Sequence, residues 1–249
     1  RASQITGVAA EDIIEAARLY ASADKAMIIY GLGITEHTTG TSNVMSLGNL
    51  AMLTGNVGRR STGIMPLRGQ NNVQGACDMG ALPNVHVGYQ PVTDAGIRSK
   101  FEEAWKVALP SVPGQTSTQM IERNPGKEIR GLYILGEDPA HTEPDTNRVR
   151  STLESLDFLV VQEIFPTETT RYADVILPAA SFAECDGTFT NGERRIQRVR
   201  KAIPALCGQE NWLTICQIAQ RMGYPMSYGH PSEIMDEIAS LAPMFAGVK

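Results

Sequence analysis

Hydrophobic positions near the start of the chain follow a helical period in two segments, with a short apolar run between them. Val8–Ser22 and Thr41–Thr54 have helical spacing, whereas Ala26–Tyr30 is a continuous apolar run that leads into the glycines at 31 and 33. Gly55 stands where it can end the second helix. The pattern predicts helix, buried strand, glycine turn and helix. Such a strand delivers a loop at its carboxyl end, where open parallel sheets bind their ligands.

The middle of the chain alternates between helical and strand-like patterns. We predict helices at Ser99–Val107 and Asp145–Leu156, a surface connection over Leu109–Gly126, and strands at Ile129–Leu135, Phe158–Gln162 and Asp174–Leu177. Alternating strands and helices favour an α/β fold with doubly wound parallel sheets. Two further helices are predicted at Asn211–Met222 and Ser232–Leu241, the last with a serine cap. Each predicted strand of the middle region ends in, or is followed by, polar or turn residues, among them Asp138, Gln162 and Ser181.

Composition and charge narrow the classes of function. The 249 residues are 42% hydrophobic and carry a net charge of −5, with acidic and basic residues interspersed. This balance gives no general attraction to nucleic acid or to an anionic membrane surface, so an anionic ligand must be bound locally. There is no apolar run of about twenty residues and no signal-peptide pattern. We therefore expect a cytoplasmic protein without direct membrane insertion.

The cysteines and histidines form no recognisable metal-binding motif. Cys77, Cys185, Cys207 and Cys216 lie far apart, without a Cys-x-x-Cys pair, and the four histidines are equally scattered. We interpret the cysteines as free thiols and predict no metal ligand in this chain. The Gly-x-Gly at Gly31 lacks the third glycine of the dinucleotide fingerprint, which makes a plain NAD site a weak interpretation.

The segment Arg68–Gly80 has the composition of a ligand-binding loop. It reads Arg-Gly-Gln-Asn-Asn-Val-Gln-Gly-Ala-Cys-Asp-Met-Gly. Glycines allow close approach of a backbone to a ligand, amides donate and accept hydrogen bonds, and arginine presents a fork suited to carboxylate or phosphate. A solvated turn rich in Gly and Asn is the alternative interpretation.

These segments together resemble the molybdopterin-dependent oxidoreductases, and most closely the catalytic subunit of the molybdenum or tungsten formate dehydrogenases. The resemblance is carried by Arg68–Gly80 with its continuation to Gln90, by Gly187–Arg195 (Gly-Thr-Phe-Thr-Asn-Gly-Glu-Arg-Arg), and by Tyr133–Pro139 and Asp174–Pro178. It implies the Rossmann-like parallel sheets of domains 1 to 3 of the formate dehydrogenase/DMSO reductase fold. On this basis we predict the end of one cofactor-binding domain at 1–69, a second at 70–180, and a return segment with helices at 181–249.

The resemblance also implies cofactors and partners. The full enzyme would hold molybdenum or tungsten between two molybdopterin guanine dinucleotides, with a 4Fe–4S cluster bound by residues outside this chain. It would oxidise formate and pass electrons to subunits of iron–sulfur, flavin or hydrogenase type. No cysteine here matches the motif of the metal-binding Cys or selenocysteine. We therefore expect an internal piece of a longer polypeptide that is inactive alone.

Site residues follow residue by residue from the resemblance. Arg68 corresponds to the active-site arginine, and its guanidinium suits the two oxygens of formate. Near the pterins or their phosphates the resemblance places Gly33, Glu36 and Gln70, while Asp138 and Gln162 would meet a guanine edge, with Asn211 and Ser181 beside them. Helix capping or turn formation is the alternative for these residues. For Asn191, Glu193, Arg194 and Arg195 we favour a buried ion-pair network.

Other functions remain open at this point. One is a non-catalytic scaffold with the same fold, as in the large iron–sulfur subunit of respiratory NADH dehydrogenases, against which the intact Arg68–Gln70 segment argues. A second is a nucleotide-binding module without redox chemistry. Within the family, a nitrate-reductase-like member is the nearest competitor.

Overall fold

A computed structural model describes residues 1–121 and 128–248 of the protein. Within these residues the chain divides into two compact units, Arg1–Val73 and Gln74–Lys249, and each is described by itself. The division into domains at 69/70 and 180/181 stays a prediction.

The first unit is an α/β unit around a parallel strand pair. Its elements are α1 Ala2–Thr6, α2 Ala10–Ser22, β1 Met27–Tyr30, α3 Leu32–Thr35, α4 Gly40–Leu53 and β2 Gly63–Pro66. Strand β1 runs parallel to β2, from Met27 opposite Gly63 to Tyr30 opposite Pro66. Parallel neighbours need a crossover, which α3 and α4 supply here.

Two residues fix how α4 joins this strand pair. Gly40 begins the helix so close to the preceding turn that a Cβ atom would lie 2.1 Å from the Thr35 carbonyl oxygen. After the helix, the fully buried Asn56 accepts a hydrogen bond from the Ala26 N–H at 3.0 Å and donates to Thr54 Oγ1 at 3.1 Å. The end of α4 is thereby tied to the start of β1.

The second unit contains the elements that follow. They are α5 Val73–Asp78, whose first residue is the last of the first unit, β3 Val85–His86, β4 Gln90–Pro91, α6 Ala95–Trp105, α7 Ser117–Ile121, β5 Gly131–Leu135, α8 Pro139–Thr142, α9 Thr146–Glu154, β6 Phe158–Glu163, β7 Val175–Pro178, β8 Gly187–Thr190, β9 Ile196–Val199, α10 Asn211–Arg221 and α11 Pro231–Leu241. Short 3₁₀ helices lie at Thr169–Tyr172, Phe182–Glu184 and Pro243–Phe245.

A three-stranded parallel sheet of order β5-β6-β7 forms the centre of this unit. Val161 and Leu159 of β6 are buried against Val149 and Leu153 of α9, the helix that connects β5 to β6. A second apolar core forms where α6 meets α11, around the fully buried Phe101. The predicted α/β class with parallel sheets is confirmed.

The predicted helices and strands are present with shifts of a few residues at their ends. The predicted connection Leu109–Gly126 contains the short helix α7, and its residues 122–126 lie outside the described residues. The serine cap was wrong: His230 precedes α11, and its Nδ1 accepts from the Ser232 N–H at 3.1 Å. The polar segment after Arg68 is not one loop either, because it becomes helix α5 at Val73.

Candidate functional site

In the first unit, the segments after β1 and β2 leave the strand pair at the same edge. The last ladder bond joins them, since the Leu67 N–H donates to the Tyr30 carbonyl at 2.8 Å. A Cβ atom on Gly69 would lie 3.3 Å from Leu32 Cδ1, so the two segments are in contact beyond the strands. The sheet topology thus collects the four predicted site residues of this unit at one edge.

Gly33 and Glu36 lie in and after the short helix α3. Gly33 is exposed, and a Cβ atom there would meet nothing within 4 Å. Its carbonyl accepts a hydrogen bond from His37 Nε2 at 2.8 Å. Glu36 is exposed and ends α3 through its N–H, which donates to the Leu32 carbonyl at 2.8 Å. The backbone at Gly33 therefore has open space on its side-chain face.

Arg68 and Gln70 follow β2, and both side chains are exposed. The chain turns after them at Asn72, which has a left-handed φ of 61°, and the Val73 N–H donates to the Gln70 carbonyl at 3.4 Å. Helix α5 then begins. The arginine predicted to bind a carboxylate thus stands on a short exposed turn between a strand and a helix.

A polar cluster in the second unit holds the end of α5. Asp78 Oδ1 accepts from Gln74 Nε2 at 2.7 Å and from the Tyr89 hydroxyl at 2.9 Å. Burial raises the pKa of Tyr89, and the neighbouring Asp78 raises it further. Sequence reasoning placed these residues in the ligand-binding segment without assigning them a role. Their contacts with one another show that they fix the helix.

At the carboxyl edge of the three-stranded sheet, Asp138 lies after β5 and before α8. Its Oδ1 accepts from the Thr169 N–H at 2.9 Å and from Thr169 Oγ1 at 2.6 Å. Burial raises the pKa of Asp138, but these hydrogen bonds outweigh it, so that the pKa lies below its ordinary value. The group is an ionised hydrogen-bond acceptor at neutral pH.

Gln162 and Asn211 are in direct contact at the same edge. Gln162 Nε2 donates to Asn211 Oδ1 at 3.2 Å and its Oε1 accepts from the Tyr133 hydroxyl. Asn211, the first residue of α10, pairs with both backbone groups of Ala180, accepting from the N–H at 2.8 Å and donating to the carbonyl at 2.9 Å. Gln162 is fully buried. Both amides therefore make their contacts within the protein and join β5, β6, the end of β7 and α10.

Ser181 lies three residues after the end of β7. Its side chain accepts from the Glu184 N–H, and its own N–H donates to Glu184 Oε2 at 2.7 Å, which is a capping box on the 3₁₀ helix that follows. Glu184 is buried and also accepts from the Leu206 N–H at 2.6 Å. Hydrogen bonds from Leu206 and Ser181 lower the pKa of Glu184. The contacts of Ser181 thus agree with the alternative that this residue caps a helix.

The ion-pair network predicted at Asn191–Arg195 is not buried. Arg195 Nε lies 3.3 Å from Glu193 Oε2, but their side chains are 77% and 69% exposed. Asn191 Oδ1 accepts from the backbone N–H groups of Glu193 and Arg195, which shapes the tight turn between β8 and β9. Turn formation therefore explains this segment, and burial of the charges was wrong.

The cysteines are free thiols, as predicted, with Cys77 and Cys216 buried. Over residues 1–121 and 128–248, no group of three or more His, Cys, Asp or Glu side chains is arranged to hold a metal ion. No helix in this part of the chain has the length and apolar character that crossing a membrane requires.

Comparison with known proteins identifies the relatives of this chain. A family model described as molybdopterin oxidoreductase matches residues 9–221. The chain is 51% identical over 250 residues to the F420-dependent formate dehydrogenase subunit alpha of Methanocaldococcus jannaschii, a match that covers 99% of this chain and 37% of the relative. It is 48% identical over 245 residues to formate dehydrogenase H of Escherichia coli, covering 98% of this chain and 34% of the relative.

A solved structure supports the fold. Acetylene hydratase from Pelobacter acetylenicus matches with a TM-score of 0.60 and 14% sequence identity, over 90% of this chain and 33% of that one. The sequence therefore spans about a third of the length of the relatives that it matches.

Proposed function

Because the chain belongs to the molybdopterin oxidoreductase family, we propose that it forms part of a formate dehydrogenase that oxidises formate to carbon dioxide. The reaction takes two electrons and one proton from formate. Two pterin guanine dinucleotides with molybdenum or tungsten would accept the electrons when bound, and a 4Fe–4S cluster on residues outside this chain would carry them to partner subunits. The names of relatives 51% and 48% identical to this chain support the assignment.

The observation that carries the proposal is the position of Arg68. It follows β2 at the edge where the glycine segment follows β1, and its side chain is exposed. A guanidinium can bind both oxygens of a carboxylate through two charge-assisted hydrogen bonds. Formate held in this way presents its C–H bond in one direction, and fixing a reactant in its reactive orientation can supply several kcal/mol of the barrier.

The residues around Arg68 fit a pterin with its phosphates. A Cβ atom at Gly31 or Gly33 would meet nothing within 4 Å, so a flat ring or a phosphate can approach the backbone there. Gln70 is exposed at the same edge of the strand pair and can both donate and accept. Glu36 suits N–H groups of a pterin better than its phosphates, because its charge repels anions.

Asp138 fits the guanine edge by its hydrogen-bonding chemistry. An ionised carboxylate offers about four lone-pair sites, and the two bonds from Thr169 use two of them. The others suit the adjacent N–H donors of a guanine ring. Gln162, Asn211 and Ser181 would then act indirectly, by holding neighbouring strand ends at the edge where Asp138 lies.

The experiment is the substitution Arg68→Lys in the full-length enzyme, with Arg60→Lys as the matched control. Lysine keeps the charge and loses the planar fork. We expect kcat/KM for formate to fall about 100-fold with a dye as electron acceptor, because a reactant misplaced by about 1 Å loses that much. Pterin and metal contents should stay those of the parent. Arg60 is an exposed arginine of the same unit, and its variant should keep full activity.

Equal formate turnover by Arg68→Lys and the parent, at equal metal content, rejects the assigned role. Loss of pterin from the Arg68 variant would instead give Arg68 a part in cofactor binding.

A further inference from the structure

The second unit contains a cavity of about 570 Å³ that none of the proposed site residues lines. It lies between β3, the end of α6, α10, α11 and the segment that joins the last two helices. Pockets for small molecules in proteins measure roughly 300–1,000 Å³ and are mostly apolar with a few polar groups. Its size and its lining therefore match those of a ligand site.

The lining combines aliphatic side chains with several aromatic rings. Four large aromatic residues contribute to the wall: Trp105, Trp212, Tyr224 and Tyr228. The sequence contains two tryptophans, and both line this cavity. The face of such a ring carries negative electrostatic potential, which attracts an organic cation. Aromatic faces around a cation are the arrangement that recognises alkylated ammonium groups, and the four rings of this lining are the residue types that such a site uses.

The charge of the cavity lining also favours a cation. Glu237 is the only Asp, Glu, Lys or Arg among the described residues that line it. Its carboxylate is held in place by the walls, since Oε1 accepts from Trp105 Nε1 at 2.8 Å and Oε2 accepts from the Tyr228 hydroxyl at 2.7 Å. The two bonds orient the carboxylate and leave its negative charge uncompensated by any cation of the lining.

His86 also lines the cavity and adds no opposing charge. Burial lowers its pKa, and the neighbouring Lys100 lowers it further, so that the ring is neutral at pH 7. Its Nε2 is a buried polar atom without a hydrogen-bond partner among the described residues. The ring stacks on Phe101 with centroids 4.4 Å apart, which fixes its plane. The cavity therefore contains one oriented carboxylate, a neutral imidazole and four rings.

We propose that this cavity binds an organic ammonium ion with an apolar body, held by the four aromatic rings and the Glu237 carboxylate. A neutral apolar molecule would gain contact with the rings but nothing from the carboxylate. An anion would meet like charge in apolar surroundings, which is costly. The proposal does not depend on the redox function, because it uses none of the residues assigned to formate or to the pterins.

The test compares two probes of nearly the same shape, phenyltrimethylammonium and its neutral isostere tert-butylbenzene, by calorimetric titration of the full-length protein. We expect the cation to bind about tenfold more tightly, the gain expected for a cation beside aromatic faces in partly desolvated surroundings. Glu237→Gln should remove most of this preference. Asp236→Asn is the matched control, because this exposed neighbour on α11 loses the same charge outside the cavity.

A second variant keeps the proposal testable if Glu237→Gln does not fold. Tyr224→Leu removes one ring, keeps an apolar side chain, and should weaken the cation more than the neutral probe. Equal affinity for both probes in the parent, or binding of neither, overturns the proposal. It is also overturned if Asp236→Asn lowers cation affinity as much as Glu237→Gln does, or if Tyr224→Leu weakens both probes alike.

Discussion

Asp138 Oδ1 receives two hydrogen bonds from Thr169, one from the hydroxyl at 2.6 Å and one from the backbone N–H at 2.9 Å. Thr169 is fully buried, and its Oγ1 also accepts from the Ala140 N–H at 3.1 Å. This one hydroxyl thus connects the carboxylate after β5, the first turn of α8 and the 3₁₀ helix before β7.

The substitution Thr169→Val should therefore destabilise the protein although it preserves shape. The buried Ala140 N–H loses its acceptor and Asp138 loses a donor, and we expect the free energy of unfolding to fall by about 1–3 kcal/mol. Urea unfolding measures the change. Thr169→Ser keeps the hydroxyl and should lose less, so a serine variant as unstable as the valine variant would contradict this account.

The depressed pKa of Asp138 predicts a pH dependence of stability with a definite sign. The pKa of Asp138 is lower in the folded protein than in the unfolded chain. The contribution of its carboxylate to the free energy of unfolding is therefore fully present above about pH 3.9, the ordinary pKa of Asp. It is lost as the pH falls further, through the folded pKa. The free energies of unfolding of the parent and of Asp138→Asn, plotted against pH between pH 2 and pH 6, should converge toward low pH. Parallel curves over this range would refute the prediction.

Gln162 and Asn211 should behave as one energetic unit. Asn211→Ala leaves both backbone groups of Ala180 without their partner, at a cost of about 1–3 kcal/mol, and Gln162→Ala removes the acceptor of Tyr133. We expect a coupling free energy of at least about 0.5 kcal/mol in a double-mutant cycle measured by urea unfolding. Gln217→Ala, on the exposed side of α10, is the control and should change stability little. Strictly additive effects would argue against the network.

Two glycines of α4 should respond to alanine in opposite directions. At Gly40 a Cβ atom would lie 2.1 Å from the Thr35 carbonyl oxygen, so the backbone must shift, at a cost of about 1–3 kcal/mol. At Gly48 the nearest atom is Ile64 Cδ1 at 4.0 Å, and Gly48→Ala should stabilise the helix by about 0.5–1 kcal/mol. Melting temperatures that move in the same direction for both variants would contradict the prediction.

The sequence predicted the three-stranded sheet because its strands are continuous apolar runs with polar residues at their ends. Strand β2 escaped prediction because Gly63–Pro66 is short and bounded by a glycine and a proline, which usually mark turns. Helix α5 escaped because it is only six residues long and contains a glycine, so that the helical spacing of its apolar residues Val73, Ala76 and Cys77 is too short a signal to identify a helix.

The hydrogen-bond partners of the proposed site residues could not be predicted from the sequence. Thr169 lies 31 positions after Asp138, and Asn211 lies 49 after Gln162, so that only the folded chain brings each pair together. Local signals were also ambiguous. Ser232 resembles a helix cap, but the backbone N–H of Ser232 donates to the His230 ring instead.

The register of the β1–β2 pair limits how Arg68 can be moved. Each residue of a strand advances the chain by about 3.3 Å and reverses the side to which its side chain points. Tyr30 lies opposite Pro66. Deleting one residue within β2 would move Arg68 back by one residue, about 3.3 Å, and turn its side chain to the other side of the strand pair. A change in strand length therefore cannot shift Arg68 by a fraction of an ångström. Fine adjustment of this guanidinium is therefore left to the rotamer of Arg68 and to the turn that follows it.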